Sequence, residues 1–332
     1  MKISTLLVLG TLLFTIILLD SCTKNCNCND DPYSGMVTED ELNKSIIQVV
    51  TRNFATGFET VFLNSSNIKL ATGDSASQAH MCQFVINPVR FLSDGSGYFF
   101  VESNRAWMVA HALKPELIGT YRYNSVDING KYYVRDMVET ISYTGEGFVD
   151  YYFEYPETGQ NEQKIAFVKA IPSAEFFIGT GFYDYQLSDY FTSEEAAMSV
   201  VENATKSMAE GLSGGFDMLP DSMDRVMFCR EFIDHIRFFD NNSGYFFMYD
   251  FNCVNVAHGT QKNLQGQNLF NYQDSKGNYV IRGLVDVVKS SGSGYYDYYW
   301  NNPVTGLEEP KKAFVYKLPG IDYFIGSGVY FE

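Results

Sequence analysis

The strongest constraint on this chain is that most of it is written twice. A shift of 147 positions (243 minus 96) lays Ser96, Gly97, Tyr98, Phe99 and Phe100 on Ser243, Gly244, Tyr245, Phe246 and Phe247. The same shift lays Val109, Ala110 and His111 on Val256, Ala257 and His258, and it holds without a gap through Asp150, Tyr151 and Tyr152 on Asp297, Tyr298 and Tyr299. It ends with Phe177, Ile178, Gly179, Thr180 and Gly181 on Phe324, Ile325, Gly326, Ser327 and Gly328. About a third of the aligned positions are identical, and a self-match of this length without insertions means duplicated domains. The period is too long for a solenoid, so each copy is expected to carry a core of its own.

Composition supports two folded units. Of 332 residues, 45% are hydrophobic and 19% charged, which leaves neither half disordered. A net charge of -16 opposes binding to a phosphate backbone, which needs clustered Lys and Arg, so nucleic acid is set aside as a partner.

The N-terminus reads as an address. Leu6 to Leu19 is an apolar run of signal-peptide length, too short to span a bilayer. Leu19, Asp20, Ser21 and Cys22 follow, a stretch that resembles a bacterial lipobox, although Asp20 is an unusual occupant; an ordinary cleaved signal peptide is the alternative. The resemblance implies a lipidated (palmitate-bearing) Cys22 that holds the protein on a membrane through acyl chains. This divides the chain into a signal peptide (1–21), a tether (22–37), a first domain (38–190) and a second (191–332). Within the tether, Cys26 and Cys28 could pair with another chain, bind a metal loosely or do nothing. Cys82 and Cys229 occupy equivalent places on apolar helix faces and read as buried thiols, and Cys253 stands alone. No cysteine spacing resembles a zinc site.

Local signals repeat with the same order. Thr38 with Glu41, and Thr192 with Glu195, have the form of capping boxes that open helices. A second helix is predicted over 79–92 and over 222–239, with Pro88 bending the first. The two helix starts lie 154 apart (192 minus 38), which assigns seven extra residues to a longer loop within 64–77 of the first copy. Short apolar runs punctuated by turn residues then predict antiparallel strands at 98–102, 107–111, 148–155, 164–170 and 176–183. Val134, Met137, Val138 and Ile141, like Ile281, Leu284, Val285 and Val288, have helical spacing. A helix there would cross one sheet face while the N-terminal helices cover the other. The fold class is α+β, with N-terminal helices packed on an antiparallel sheet of five to six strands in each copy.

This order, together with particular residues, resembles the Cache superfamily of PAS-like extracytoplasmic sensors, as two tandem single-Cache domains. The resemblance rests on Gly97 to Phe100 and Gly244 to Phe247, on Ala110-His111 and Ala257-His258, and on Leu117 with Gly119 and Leu264 with Gly266. It continues through Gly130 and Tyr132, Gly277 and Tyr279, Lys164 and Lys311, and the closing Ile-Gly-x-Gly pattern. Ala112 and Gly259 stand where relatives usually have proline, and Phe176 and Tyr323 where they often have tryptophan.

The resemblance implies a small-molecule site between the sheet and the inserted helix, taking an organic acid or amino acid. A carboxylate in a partly dry cavity needs charge-assisted donors. Tyr98, His111, Arg135, Tyr152 and Lys164 are the candidates in the first copy, and Tyr245, His258, Arg282, Tyr299 and Lys311 in the second. Each has an ordinary structural alternative. The histidines could bond a loop carbonyl, the arginines could pair with Asp150 or Asp297, the lysines could be solvated, and the tyrosines could pack. The second copy keeps more of the family pattern and is the favoured working site.

Catalysis finds no foothold. His80, His111, His235 and His258 have no metal-ligand spacing, and no nucleophile elbow or phosphate loop is present. No cofactor is implied, and the protein reads as a non-enzyme. Relatives drive cytoplasmic modules, whereas this chain stops at Glu332, so signalling is expected to pass to a membrane partner. The leading expectation is a membrane-anchored lipoprotein, periplasmic or surface-exposed, that binds a small metabolite. The alternative is a surface scaffold whose pockets are filled by their own aromatics.

Overall fold

The computed structural model describes residues 33–64, 74–184 and 189–331. The stretch expected to be a signal peptide, Cys22, Cys26 and Cys28 lie outside the described residues, as do 65–73 of the longer loop. Residues Gly35–Glu332 form one compact unit.

A short strand β1 (Val37–Thr38) leads into α1 (Glu39–Leu63). Thr38 caps it with its hydroxyl on the Glu41 amide, and the Glu41 carboxylate returns to the Thr38 amide, so two otherwise orphaned donors are satisfied. Then come α2 (Ser75–Ile86), β2 (Phe99–Ser103), β3 (Met108–His111), α3 (Tyr133–Thr144), β4 (Glu146–Glu154), β5 (Asn161–Ile171) and β6 (Phe176–Tyr183). The second copy repeats this as β7 (Tyr190–Phe191), α4 (Ser193–Gly215), α5 (Ser222–Asp234), β8 (Phe247–Asp250), β9 (Asn255–His258), α6 (Val280–Ser291), β10 (Ser293–Asn301), β11 (Glu308–Lys317) and β12 (Tyr323–Tyr330). Thr192 and Glu195 close the second capping box. Each copy has a five-stranded antiparallel sheet, in the orders β3-β2-β6-β5-β4 and β9-β8-β12-β11-β10.

Strand alternation gives each sheet two different faces. In the first, Phe100, Ala166, Val168 and Phe177 pack with Val134, Met137 and Ile141 of α3. In the second, Phe247, Ala313, Val315 and Phe324 pack with Ile281, Leu284 and Val288 of α6. Each copy thus has an outer core under its inserted helix, as the spacing predicts. The inner faces depart from the expectation of separate cores. Phe99, Val101, Phe167 and Ile178 of the first sheet and Phe246, Met248, Phe314 and Ile325 of the second belong to one continuous core with the four N-terminal helices. The helices of both copies therefore form one layer between two sheets.

That layer has a pseudo-twofold arrangement. α1 packs on β5 and β6 while α4 packs on β11 and β12; α1 also meets α5, and α4 meets α2. β1 and β7 pair just ahead of α1 and α4, so both long helices start from the same end. Each long helix has a glycine, at equivalent positions 154 apart, where it touches a helix of the other copy. A Cβ on Gly57 would stand 2.2 Å from the Phe232 ring, and one on Gly211 would stand 2.7 Å from the Phe54 ring. Phe54 in turn lies 4.5 Å from Phe99 and 5.9 Å from Phe232, centroid to centroid, which ties sheet and helices of both copies together.

Pro88 does not bend α2. The helix stops at Ile86, before the proline, and α5 stops at the equivalent place without one. The stop belongs to the topology, and the ring merely tolerates it. Cys82 and Cys229 are buried thiols, whose pKa burial pushes up; Cys253 is buried as well.

Because the inner core is common property, Gly57→Val or Gly211→Val should cost about 1–3 kcal/mol through overpacking, and the loss should appear in both halves at once. Urea unfolding followed by tryptophan fluorescence (Trp107 in the first copy, Trp300 in the second) and by far-ultraviolet circular dichroism should give coincident curves. Separate transitions for the two halves would contradict a shared core.

Candidate functional site

Lys164 is the residue around which the first outer site is built. It sits on β5, opposite Tyr151 on β4 and Tyr183 on β6. Its stem passes where Gly181 has no side chain: a Cβ there would stand 2.9 Å from Lys164 Cε. The Lys164 ammonium lies 3.8 Å from the centre of the Tyr98 ring, 5.1 Å from Tyr183 and 5.6 Å from Phe153. It is fully buried, and its Nζ has no hydrogen-bond partner. Aromatic faces attract the cation but cannot replace a counter-ion. Burial alone brings its pKa down to about 7.

The second copy repeats the cage. Lys311 Nζ lies 4.0 Å from the Tyr245 ring, 4.8 Å from Tyr330 and 5.4 Å from Phe247, also without a hydrogen-bond partner. Burial again depresses its pKa well below the usual lysine value. The Lys311 stem uses the space above Gly328, as Lys164 uses that above Gly181. This gives the last glycine of the Ile-Gly-x-Gly pattern a physical reason.

The tyrosines are fixed by relays. Tyr183 donates to the Glu154 carbonyl at 2.7 Å and its hydroxyl lies 3.4 Å from that of Tyr98. Tyr330 donates to the Asn301 carbonyl at 2.8 Å and lies 3.0 Å from the Tyr245 hydroxyl.

Both histidines end their strands with the ring turned inward. His111 Nδ1 accepts from the amides of Leu113 (3.2 Å) and Lys114 (2.9 Å), and His258 Nδ1 from those of Thr260 (3.3 Å) and Gln261 (3.0 Å). A nitrogen that accepts two amides carries no proton, so the neutral tautomer with Nε2–H is imposed. Burial, reinforced by Lys164 at the first site and Lys311 at the second, takes each imidazole pKa down to about 3. These rings offer a neutral donor near pH 7.

A cavity of about 20 Å³ adjoins the Lys164 cage through Tyr98 and Phe153, and Glu102, His111, Arg122, Tyr133 and Tyr151 line it with them. That is room for one water. The corresponding space in the second copy is about 10 Å³ and more apolar, with Phe247, His258, Val280, Leu284 and Trp300 in its wall. The sequence favours the second copy, whereas the larger and more charged cavity is in the first.

Of the sequence candidates, Tyr98, His111 and Lys164 come together, as do Tyr245, His258 and Lys311. The others stand apart from these clusters, Tyr152 on the wall of an open groove next to the first cavity. Arg135 Nε donates to the Tyr123 carbonyl at 3.2 Å and its guanidinium lies 3.8 Å above Tyr132. Arg282 makes the same contacts with Phe270 (2.7 Å) and Tyr279 (3.3 Å). Both arginines pin the start of the inserted helix to the preceding loop, and Asp150 is bonded by Lys131 instead. Tyr152 and Tyr299 fall on the other side of their strand from Tyr151 and Tyr298, because neighbouring strand residues face opposite ways. The backbone amides of Tyr152 and Tyr299 bond Asp127 and Asp274, which organise the loops ahead of α3 and α6.

Glu102, Arg122 and Tyr133 were not selected from the sequence. Their counterparts 147 positions on are Tyr249, Leu269 and Val280, so matching the copies conceals them. Among the described residues no group of three or more His, Cys, Asp or Glu is placed to hold a metal ion, and no helix is long and apolar enough to cross a membrane.

Comparison with known proteins matches a family model for the Cache domain over residues 31–208 and 229–332. The chain is similar to the sensor histidine kinase MctS of Rhizobium johnstonii, 36% identical over 89 residues, which are 27% of this chain and 19% of that protein. It therefore spans about a fifth of the length of that curated relative. Among solved structures it is similar to a methyl-accepting chemotaxis protein from Vibrio parahaemolyticus, at 29% identity, covering 36% of this chain and 80% of that one with a TM-score of 0.32. It is also similar to a Cache chemosensory domain whose structure is described as a basis for carboxylic acid recognition, at 28% identity, 42% and 93% coverage and a TM-score of 0.36.

A buried cation without a partner weakens the ligand-free protein. Lys164→Met should stabilise it by about 1–3 kcal/mol at neutral pH. Between pH about 7 and the ordinary lysine value of 10.5 the unfolded chain holds a proton that folded Lys164 lacks. Stability from Lys164 should thus rise with pH across that window, and Lys164→Met should flatten the rise. Urea titrations at stepped pH decide this; a destabilised Lys164→Met protein with an unchanged pH slope would count against it.

Proposed function

Since the chain belongs to the Cache domain family, a family of extracytoplasmic sensor domains, we propose that it binds a small carboxylic acid, an organic acid or amino acid, against Lys164. The observation that carries the reading is the lysine itself. A fully buried ammonium in an aromatic cage, with no acceptor on Nζ, is costly unless an anion completes it. A ligand carboxylate would supply the missing charge, and His111 and Tyr98 add neutral donors beside it. Lys311, His258 and Tyr245 repeat the arrangement, so the second copy is a second, tighter site.

A cavity with room for one water must widen to take such a ligand. Beside it lies an open groove of about 330 Å³, and Arg122, Tyr133 and Phe153 border both. Movement of that wall would join them into a volume typical of small-molecule sites. The scaffold alternative draws support from the second copy, where the cavity is smaller and the larger Trp300 stands in the place of Phe153. We therefore assign sensing to the first copy and a lesser or supporting part to the second, reversing the preference drawn from the sequence.

In the same reading the chain is held at a membrane by lipid on Cys22 and passes its bound state to a membrane partner. The support is the lipobox-like Leu19 to Cys22.

Calorimetry with a panel of small carboxylates should show binding that Lys164→Met removes. Because the ligand prefers protonated Lys164, affinity should fall as pH rises above about 7. Affinity independent of both Lys164 and pH would refute the site. In bacteria, radiolabelled palmitate should enter the wild-type protein and be absent from Cys22→Ser, which should move to the soluble fraction; equal labelling of both would remove the anchor.

A further inference from the structure

The two cavities share a histidine and a tyrosine (His111 and Tyr151 in the first, His258 and Tyr298 in the second), but the first holds two groups of opposite charge that the second lacks. Glu102 is on β2 and 2% exposed, and Arg122 is on the loop ahead of α3. Both line the cavity. The two side chains feel each other's charge, yet Glu102 Oε2 and Arg122 Nε, both shut off from solvent, have no hydrogen-bond partner. Arg122 is held from its other end by Tyr133, whose hydroxyl accepts from Nη2 at 2.6 Å. Buried opposite charges ordinarily close on each other, because each unpaired one is costly. Here they stay apart at the wall of a cavity that also borders Lys164's cage. Burial raises the Glu102 pKa to about 7 against the pull of Arg122, as befits an acceptor lacking its donor.

The cavity therefore presents a cation and an anion to one guest, and two rings of its wall, Tyr98 and Phe153, carry the Lys164 ammonium on their faces. We propose that the first copy selects small carboxylic acids that carry a donor, hydroxyl or ammonium, on the adjacent carbon, with Lys164 and Arg122 taking the carboxylate and Glu102 the donor. This rests on the carboxylate site proposed above and names its specificity-determining residue. The second copy, with Tyr249 and Leu269 at these places, has no charged acceptor for such a donor and should not discriminate in this way.

The test uses the full chain carrying Lys311→Met, which silences the second cavity, and three acids of similar shape: propionate, lactate and alanine. Calorimetry at pH 7 should find lactate or alanine bound at least about tenfold tighter than propionate, since a buried acceptor strongly rejects an analogue that leaves it unpaired. Glu102→Leu should reduce that preference to under about threefold while propionate affinity stays within about twofold, which also shows that the variant is folded. Glu102→Tyr, which installs the second copy's residue, should do the same and serves if the leucine variant does not fold. Glu102→Gln identifies the donor: an uncharged acceptor keeps lactate and loses alanine. Equal binding of all three acids by the parent chain, or a preference that survives Glu102→Leu and Glu102→Tyr, overturns the proposal and leaves the carboxylate site standing. Failure of all three to bind removes both.

Discussion

The architecture depends on one layer of helices serving two sheets. Each sheet has an apolar inner face that must be covered, and the helices covering one also meet those covering the other. Close approach is bought with missing side chains at Gly57 and Gly211, where aromatic rings occupy the space a Cβ would need. Since the inner faces are committed to this layer, the outer faces are left for α3 and α6. The candidate sites lie there, away from the joint between copies.

Within those outer faces, stability and binding pull in opposite directions. A methionine would fill the place of Lys164 without a desolvation penalty, yet the chain puts an ammonium there twice. The glycines at 181 and 328 open space for the lysine stems, and the tyrosine relays hold the rings around the cations. The histidines have a fixed tautomer because two backbone amides occupy Nδ1. The rings beside each lysine are thus held by the fold itself.

Periodicity and capping chemistry made much of the fold legible. Thr38 and Thr192 mark helix starts by local hydrogen bonding, and the helical spacing from Val134 to Ile141 identifies α3 although β-branched residues are present. The shared inner core was not legible, because nothing in either copy alone tells which surface will cover its helices. At the site, matching the copies found Lys164, His111 and Tyr98. The same logic chose Arg135, which both copies keep for holding a loop, and passed over Arg122, which one copy has. Repetition reports what the scaffold requires, while differences between repeats report what one site has acquired. Tyr152 was chosen where its neighbour Tyr151 lines the cavity, and in a strand one position is the whole distance between two faces.

The pairing of β1 with β7 has a consequence for how such a molecule counts its inputs. Strands just ahead of α1 and α4 are clasped, so two like domains stand side by side as partners in a dimer would, yet they are covalently one. Dilution cannot part them, and exchange with other chains cannot mix them. Unlike chambers, one with Glu102 and Arg122 in its wall and one without, are therefore always present in equal number, and their ratio is fixed by the gene and not by mass action.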